Sequence, residues 1–475
     1  MWHTISHTVI LQSALPFQKL NGTESDILFS SQHCPRWTFS IIDLNFFHNT
    51  LCSVQVESGP LFFLIYINDF TDTSLFTIVH DPNSAASDLN HDLDLIRLWA
   101  YKWRMSFNPD PRKQAVELIF SKKTAKTDHP PVFFNDAPVM KVDQHKHLGV
   151  ILDPKLSFSA HIQAAISKSR KAIGMLRFLS KYLSRNTLNE LYKLYVRPHL
   201  DYGDVIYHIP QKEDNISSLG NHLMEELESV QYAAALAVTG MWRGTSRERL
   251  YNELGWEPLS LRSWSRRLIL FYKFVNELTP DYTRDPIPPL NETTYPIRSR
   301  PIVGQIRART EKFKASFYPH CLLEWNKLDP EIRASPTVGI FKKKLSSQIR
   351  PPANSLFGIH DPKGVAYLTQ IRVGWSKLNF HKFRHNFWDI INSMCPINNG
   401  IADTERFLLL CDSFKEHRCN LLADVNVVLQ NSGHSVWNNS FLQLLLYGDE
   451  SLSYEVNRSI LTLTITYILK TERLD

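Results

Sequence analysis

The chain has 475 residues, a formal net charge of +6, and is 43% hydrophobic and 12% aromatic. That length has room for about two to four domains, and the apolar content excludes a disordered or low-complexity chain. No apolar run approaches the roughly 18 residues of a spanning helix. The opening Met1-Trp2-His3-Thr4 lacks the basic start of a secretory signal, and six cysteines in so long a chain are no disulfide framework. Reduced thiols in a cytoplasmic or nuclear setting, and no membrane, are therefore expected.

Residues 1–53 show no clean periodicity and receive no assignment. Residues 54–155 alternate helix and strand. There Leu89, Leu93, Ile96, Trp99 and Trp103 recur at helical spacing behind the start signal Asp81-Pro82-Asn83-Ser84. Asn108-Pro109-Asp110-Pro111 breaks the chain. Ala115–Phe120 is apolar and β-prone, and Val132–Phe134 and Ala137–Val142 flank Asn135-Asp136 as the arms of a hairpin. A further short strand is expected at His147–Leu152. The pattern predicts an α+β sheet with Leu93, Ile96 and Trp99 of a helix at 84–105 packed on it. Residues 156–280 read as helices. Residues 281–475 open on the connector Asp285-Pro286-Ile287-Pro288-Pro289-Leu290 and continue as mainly helical sequence.

Charge is uneven along this order. Between Ser159 and Leu200 stand eight bases, Lys168, Arg170, Lys171, Arg177, Lys181, Arg185, Lys193 and Arg197, against the single acid Glu190. Smaller basic groups are Arg262/Arg266/Arg267 and Lys342/Lys343/Lys344, while from Gly400 onward ten acids face six bases. A basic middle favours a polyanionic partner, RNA or DNA, held weakly and without sequence preference. The alternative is a set of ordinary solvated helix faces. Tyr192, Tyr195, Tyr202 and Tyr207 near these helices are either stacking platforms or core.

Several motifs then agree in order. Ser58-Gly59-Pro60-Leu61-Phe62-Phe63-Leu64-Ile65-Tyr66-Ile67-Asn68-Asp69-Phe70 is followed at once by Thr71-Asp72-Thr73. Trp99 through Ala115, Lys146-His147-Leu148-Gly149-Val150, Tyr195 through Gly203, Gly244 through Gly255, Trp325 through Pro330 and Leu446 through Glu450 come after it. Together they resemble the reverse transcriptases of jockey-like non-LTR (LINE) retrotransposons, from about residue 54 to the end. The resemblance implies a truncated palm-like domain at 54–155, a helical thumb-like domain at 156–280 and a C-terminal region at 281–475, with no endonuclease domain.

It also implies where the chemistry would be. The family holds Mg²⁺ between three aspartates, one far upstream and two adjacent at a hairpin turn, because nucleotidyl transfer needs paired divalent ions on oxygen ligands. Only Asp72 matches a hairpin position. Asp43, within Ser40-Ile41-Ile42-Asp43, lacks the family's context, and the turn before Gly59 is cut to Val54-Gln55-Val56-Glu57-Ser58. The family's zinc-knuckle-like element keeps Cys395 and Cys411, but Ile397 and Arg406 stand at its other two ligand positions; His417 or Cys419 would have to substitute. The expectation is a catalytically inactive remnant of an RNA-directed DNA polymerase that needs no cofactor. A non-catalytic nucleic-acid-binding protein, or a translated pseudogene product without a selected role, is the alternative.

Overall fold

The structure, a computed structural model, describes residues 5–11, 74–79, 82–102, 115–120, 130–210, 219–280, 283–288, 304, 306–308, 310–347, 355–395, 400–433 and 440–475. The chain divides into two compact units, Met1–Gln163 with Phe274–Pro288, and Ala164–Lys273 with Pro289–Asp475. It is an α+β protein, mostly helical with small sheets.

The first unit is built on β1 (Ile5–Leu11), β2 (Ser74–Val79), β3 (Ala115–Phe120) and β6 (Met140–Lys141), in the order β2-β1-β3-β6. β1 runs antiparallel to both neighbours, with His7 opposite Thr77 on one side and Ile119 on the other; β6 joins β3 in parallel. The strand at the centre thus comes from the segment that the sequence left unassigned. Its run Ile-Ser-His-Thr-Val-Ile-Leu is rich in β-branched residues, but its partners lie far along the chain, where no local pattern points to them.

Helix α1 (Pro82–Lys102) packs as its spacing foretold over the residues described; the expected last three, 103–105, lie outside them. Ala86, Leu89 and Leu93 form a buried cluster with Ala115, Val132 and Phe134, and Ile96 and Val139 pack against it. The side chain of Trp99, and all of 103–114, lie outside the described residues. Asn90 fastens the helix to the hairpin by accepting from the Phe133 N–H at 2.7 Å.

That hairpin joins β4 (Phe133–Phe134) to β5 (Ala137–Pro138) through Asn135 (φ +49°) and Asp136 (φ +61°). Two consecutive left-handed residues match strand twist, and Asn and Asp tolerate that conformation. The strand expected at 147–152 is instead a hairpin, β7 (His145–His147) and β8 (Val150–Leu152), turning through Leu148 (φ +45°) and Gly149 (φ +88°). It forms its own two-stranded ribbon rather than joining the sheet. Burial pulls the His145 and His147 imidazoles below their ordinary range, so both are neutral near pH 7.

The second unit is helical. It contains α2 (Ser159–Leu179, whose first five residues belong to the first unit), α3 (Arg185–Leu191), a π turn at Tyr192–Val196, α4 (Arg197–Asp201), α5 (Asp204–Tyr207), α6 (Leu219–Thr239), α7 (Arg247–Leu254) and α8 (Leu259–Val275). Helices α9 (Phe317–Lys327), α10 (Val338–Ser347), α11 (Pro362–Val373), α12 (Asn379–Arg384), α13 (Lys415–Asn431), α14 (Phe441–Tyr447) and α15 (Tyr454–Lys470) follow.

One core gathers Leu368 and Ile371 from α11, Val425 from α13, Leu445 from α14 and Ile465 from α15. Gly364 lets α11 approach α15 closely; a Cβ there would meet Ile465 Cγ2 at 2.2 Å. An aromatic cluster packs Trp325 edge-on to Phe271 at 5.5 Å, with Tyr272 stacked on Phe341 at 4.5 Å. No described helix is long and apolar enough to cross a membrane.

Candidate nucleic-acid interface

The Asp153 carboxylate accepts N–H groups from Lys155, Ser157 and Phe158, turning the chain into α2. Ile162, Ala165, Ile166, Ser169, Ile173 and Leu176 of α2 are buried, a stripe at three- and four-residue spacing. Lys168, Arg170, Lys171 and Arg177 lie off that stripe and are exposed, as is Lys181 in the following turn. None of the five forms an ion pair among the described residues.

At about 100° per residue, Arg170 and Arg177 share one edge of the exposed face, about 20° apart, and Lys168 lies on the other edge. Lys171 stands between them on a line that continues through Met175 and Phe178 to Tyr182. The latter two are 66% and 68% exposed, their ring centroids 5.9 Å apart.

Arg185 corrects the expectation that it joins this face. Its side chain is only 2% exposed, with Nη1 at 3.5 Å from Glu253 Oε2 and Nη2 donating to the Thr369 hydroxyl. Arg372 faces the same carboxylate at 3.3 Å. Burial pulls the Arg185 guanidinium down to about 10, with Glu253 opposing the shift, so it stays charged near neutral pH. Being an N-terminal residue of α3, capped by Ser184, it points into the unit, where no phosphate reaches it.

The basic group at 262–267 is internal too. Asp201 accepts from Arg197 Nε at 3.0 Å, Arg262 Nη2 at 2.8 Å and Arg266 Nη1 at 2.8 Å, and Asp204 takes a second bond from Arg266. Burial alone would raise the Asp201 carboxyl, but Arg262 and Arg266 outweigh it and hold it at about 2. Arg267 donates to the carbonyls of Val205, Ala315 and His208 at 2.9, 3.1 and 2.7 Å. These arginines tie α8 to α4 and α5. Lys342 and Lys343 of α10 are exposed, while Lys344 donates to the Glu331 carbonyl.

The four tyrosines separate in the same way. Tyr192 is buried, donates to Gln231 Oε1 at 2.7 Å and stacks on Trp256 at 3.7 Å. Tyr207 is buried and donates to the Leu200 carbonyl. Tyr195 and Tyr202 are exposed. The sequence reading passed over Phe178 and Tyr182, though their spacing from Lys171 and their absence from the apolar stripe of α2 marked them as outward-facing.

A cleft of about 420 Å³ between α6, α7 and the start of α8 is acidic rather than basic. Glu225 there pairs with Arg247 at 2.6 Å, and Glu228 accepts from the Tyr251 hydroxyl at 2.5 Å and the Leu259 N–H at 2.8 Å. With Glu248 and Glu257 also on its wall, the cleft would repel a polyanion.

Asp72, Asp43 and the run 58–70 lie outside the described residues. Cys395 and Cys411 do come together, buried with Ala402 in a small apolar cluster against Phe414. Among the described residues, no three His, Cys, Asp or Glu side chains converge as a metal centre requires. Two thiols in an apolar pocket do not fit the four-ligand shell of structural zinc, and His417 and Cys419 are exposed on α13.

The other motifs occupy joints of the fold. Arg197 and Asp201 belong to the ion cluster, and Gly203 takes φ +73° between α4 and α5. Gly255 caps α7 at φ +63°, and Arg333 donates to the Trp325 and Asn326 carbonyls. Asn457 accepts the Asp449 N–H at 2.8 Å after Gly448.

No protein-family model matches the chain. It is 24% identical over 215 residues to a probable RNA-directed DNA polymerase from transposon X-element of Drosophila melanogaster, covering 41% of this chain and 22% of that protein. It is 28% identical over 144 residues to the RNA-directed DNA polymerase from mobile element jockey of the same species, covering 30% and 15%. A probable polymerase from transposon BS is 27% identical over 155 residues, covering 32% and 17%. The matched stretches thus span about a fifth or less of these relatives. By its motifs and by these comparisons, the chain resembles the RNA-directed DNA polymerases of jockey-type non-LTR retrotransposons.

Proposed function

We propose that this chain is a non-catalytic derivative of such a polymerase, and that its helical unit binds RNA or DNA weakly and without sequence preference. The observation that carries the reading is the exposed basic face of α2 and the turn after it. Lys168, Arg170, Lys171, Arg177 and Lys181 stand there without an ion pair among the described residues, while the neighbouring arginines are consumed by internal carboxylates. Unpartnered surface cations attract phosphates because binding releases condensed counterions.

The test is a titration of labelled oligonucleotide against the full chain at several salt concentrations. Affinity should fall with a log–log slope of about −0.7 per phosphate contact on single strands. Replacing Lys168, Arg170, Lys171 and Arg177 by Glu should weaken binding sharply while the helical circular-dichroism signal persists. Salt-independent binding, or unchanged affinity in that variant, would refute the reading.

Loss of polymerase activity is the second half of the proposal. It rests on the motif, where Asp72 alone matches the family's hairpin carboxylates. A primed RNA template with Mg²⁺ or Mn²⁺ and all four deoxynucleotides should yield no extension; extension abolished by Asp72→Asn would show the opposite.

A further inference from the structure

The exposed face of α2 carries more than charge. Met175, Phe178 and Tyr182 stand 53%, 66% and 68% exposed, at spacings that align them on one side of the helix and the turn after it. Three in line form a contiguous apolar patch rather than scattered exposed groups, and here cations flank them on both edges. Gly174 lies beside Phe178 with nothing within 4 Å of where a Cβ would be, so the face has a shallow dip next to the ring. The Phe178 and Tyr182 rings sit 5.9 Å apart, tilted by 55°. They offer two neighbouring π faces rather than one closed pair.

Charge complementarity chooses the occupant. A protein helix suited to the apolar line would need acids on both flanks. A nucleic acid brings regularly spaced phosphates for Arg170, Arg177 and Lys168 together with flat apolar faces for the rings. A duplex offers the phosphates but keeps its bases stacked internally. A single strand offers both, and base–aromatic stacking tolerates any sequence. We infer that α2 binds single-stranded nucleic acid, with successive bases stacked on Phe178 and Tyr182 over the dip at Gly174 and the flanking cations on the phosphates. This rests on the nucleic-acid reading above and narrows it to one strand form and one pair of rings.

Anisotropy titrations of the full chain with a labelled oligodeoxythymidine of about 20 nucleotides, and with a duplex of equal length, test it. The single strand should bind more tightly. Phe178→Ala and Tyr182→Ala should each weaken single-strand binding about tenfold, since stacking contributes about 1–3 kcal/mol per base and 1.4 kcal/mol is tenfold. Duplex binding and the salt slope should barely change. Gly174→Leu should raise helix stability, because Leu is the better helix former, yet weaken single-strand binding by filling the dip, which separates the effect from misfolding.

Salt-dependent binding that ignores all three substitutions would overturn the stacking inference and leave the nucleic-acid reading standing. Absence of any salt-dependent binding in the unaltered chain would defeat both. A self-associated chain that becomes monomeric on Phe178→Ala would overturn the inference, by showing that a second copy covers the face.

Discussion

At the residue scale, the arginines divide by depth. Arg185 and Arg372 converge on one carboxylate, Glu253, with all three side chains nearly inaccessible. The two guanidiniums repel each other, so burial and Arg372 disfavour the charge on Arg185 while the shared acid favours it. Removing one cation leaves Glu253 still paired, whereas neutralising Glu253 leaves two buried like charges. Glu253→Gln should therefore cost about 3–5 kcal/mol, the usual penalty of breaking a buried pair, and Arg185→Met clearly less. Urea denaturation of the two variants decides the order, and a larger loss in Arg185→Met would contradict this account. None of this depth was legible beforehand. A sequence gives the sign of Arg185 and its place among seven other bases, but not which side of α3 faces inward, because Glu253 and Arg372 lie far along the chain.

At the element scale, local geometry was readable where one or two residues dictate it. Asn135-Asp136 announced its hairpin because both side chains tolerate positive φ. The apolar spacing of α1 announced the face that Leu89 and Leu93 bury. The β7–β8 ribbon was read only as a strand, since Leu148 is a poor turn residue and hides the signal. Holding Leu at φ +45° costs roughly 1 kcal/mol. Leu148→Asn should return about that much stability, visible as a raised denaturation midpoint. An unchanged or lowered midpoint would mean that the Leu148 side chain, 46% exposed, packs better than its geometry suggests. Within the candidate interface, the cations of α2 were legible from composition. Phe178 and Tyr182 were legible only as residues off the apolar stripe, since exposed aromatics carry no charge signal and their 66% and 68% exposure appears only in the fold.

At the scale of the whole molecule, stability should depend on pH through buried imidazoles. Burial, reinforced by Arg267, pushes His208 down to about 3, and burial with His385 pushes His381 to about 4. A depressed base is neutral in the folded chain, so its contribution is complete above the unfolded value of 6.5 and is lost as pH falls below it. At pH 5 each should cost about 2 kcal/mol relative to pH 7. Asp201, held at about 2, keeps its arginines until much lower pH, so acid weakening begins with the histidines. Denaturation midpoints at pH 7 and pH 5 measure this, and the drop should shrink in a His208→Gln, His381→Gln double variant. Equal midpoints for the unaltered chain would show that water reaches both rings.

The buried ion pairs also bear on how the chain is made. Asp201 waits for Arg262, 61 residues later, and Arg185 for Thr369, 184 residues later. At a synthesis rate of about 5–20 residues per second, those partners emerge roughly 3–12 and 9–37 seconds afterwards. Meanwhile Asp201 has only Arg197, four residues away, to share its charge, and Arg185 gains Glu253, but the buried site around Arg185 is closed only by Thr369 and Arg372 of α11. Nascent chains halted near residue 360, before α11 exists, should therefore be cut readily by protease at 185–255, while chains carried through α15 resist. The helical unit would then close only late in translation, when its distant final third has left the ribosome.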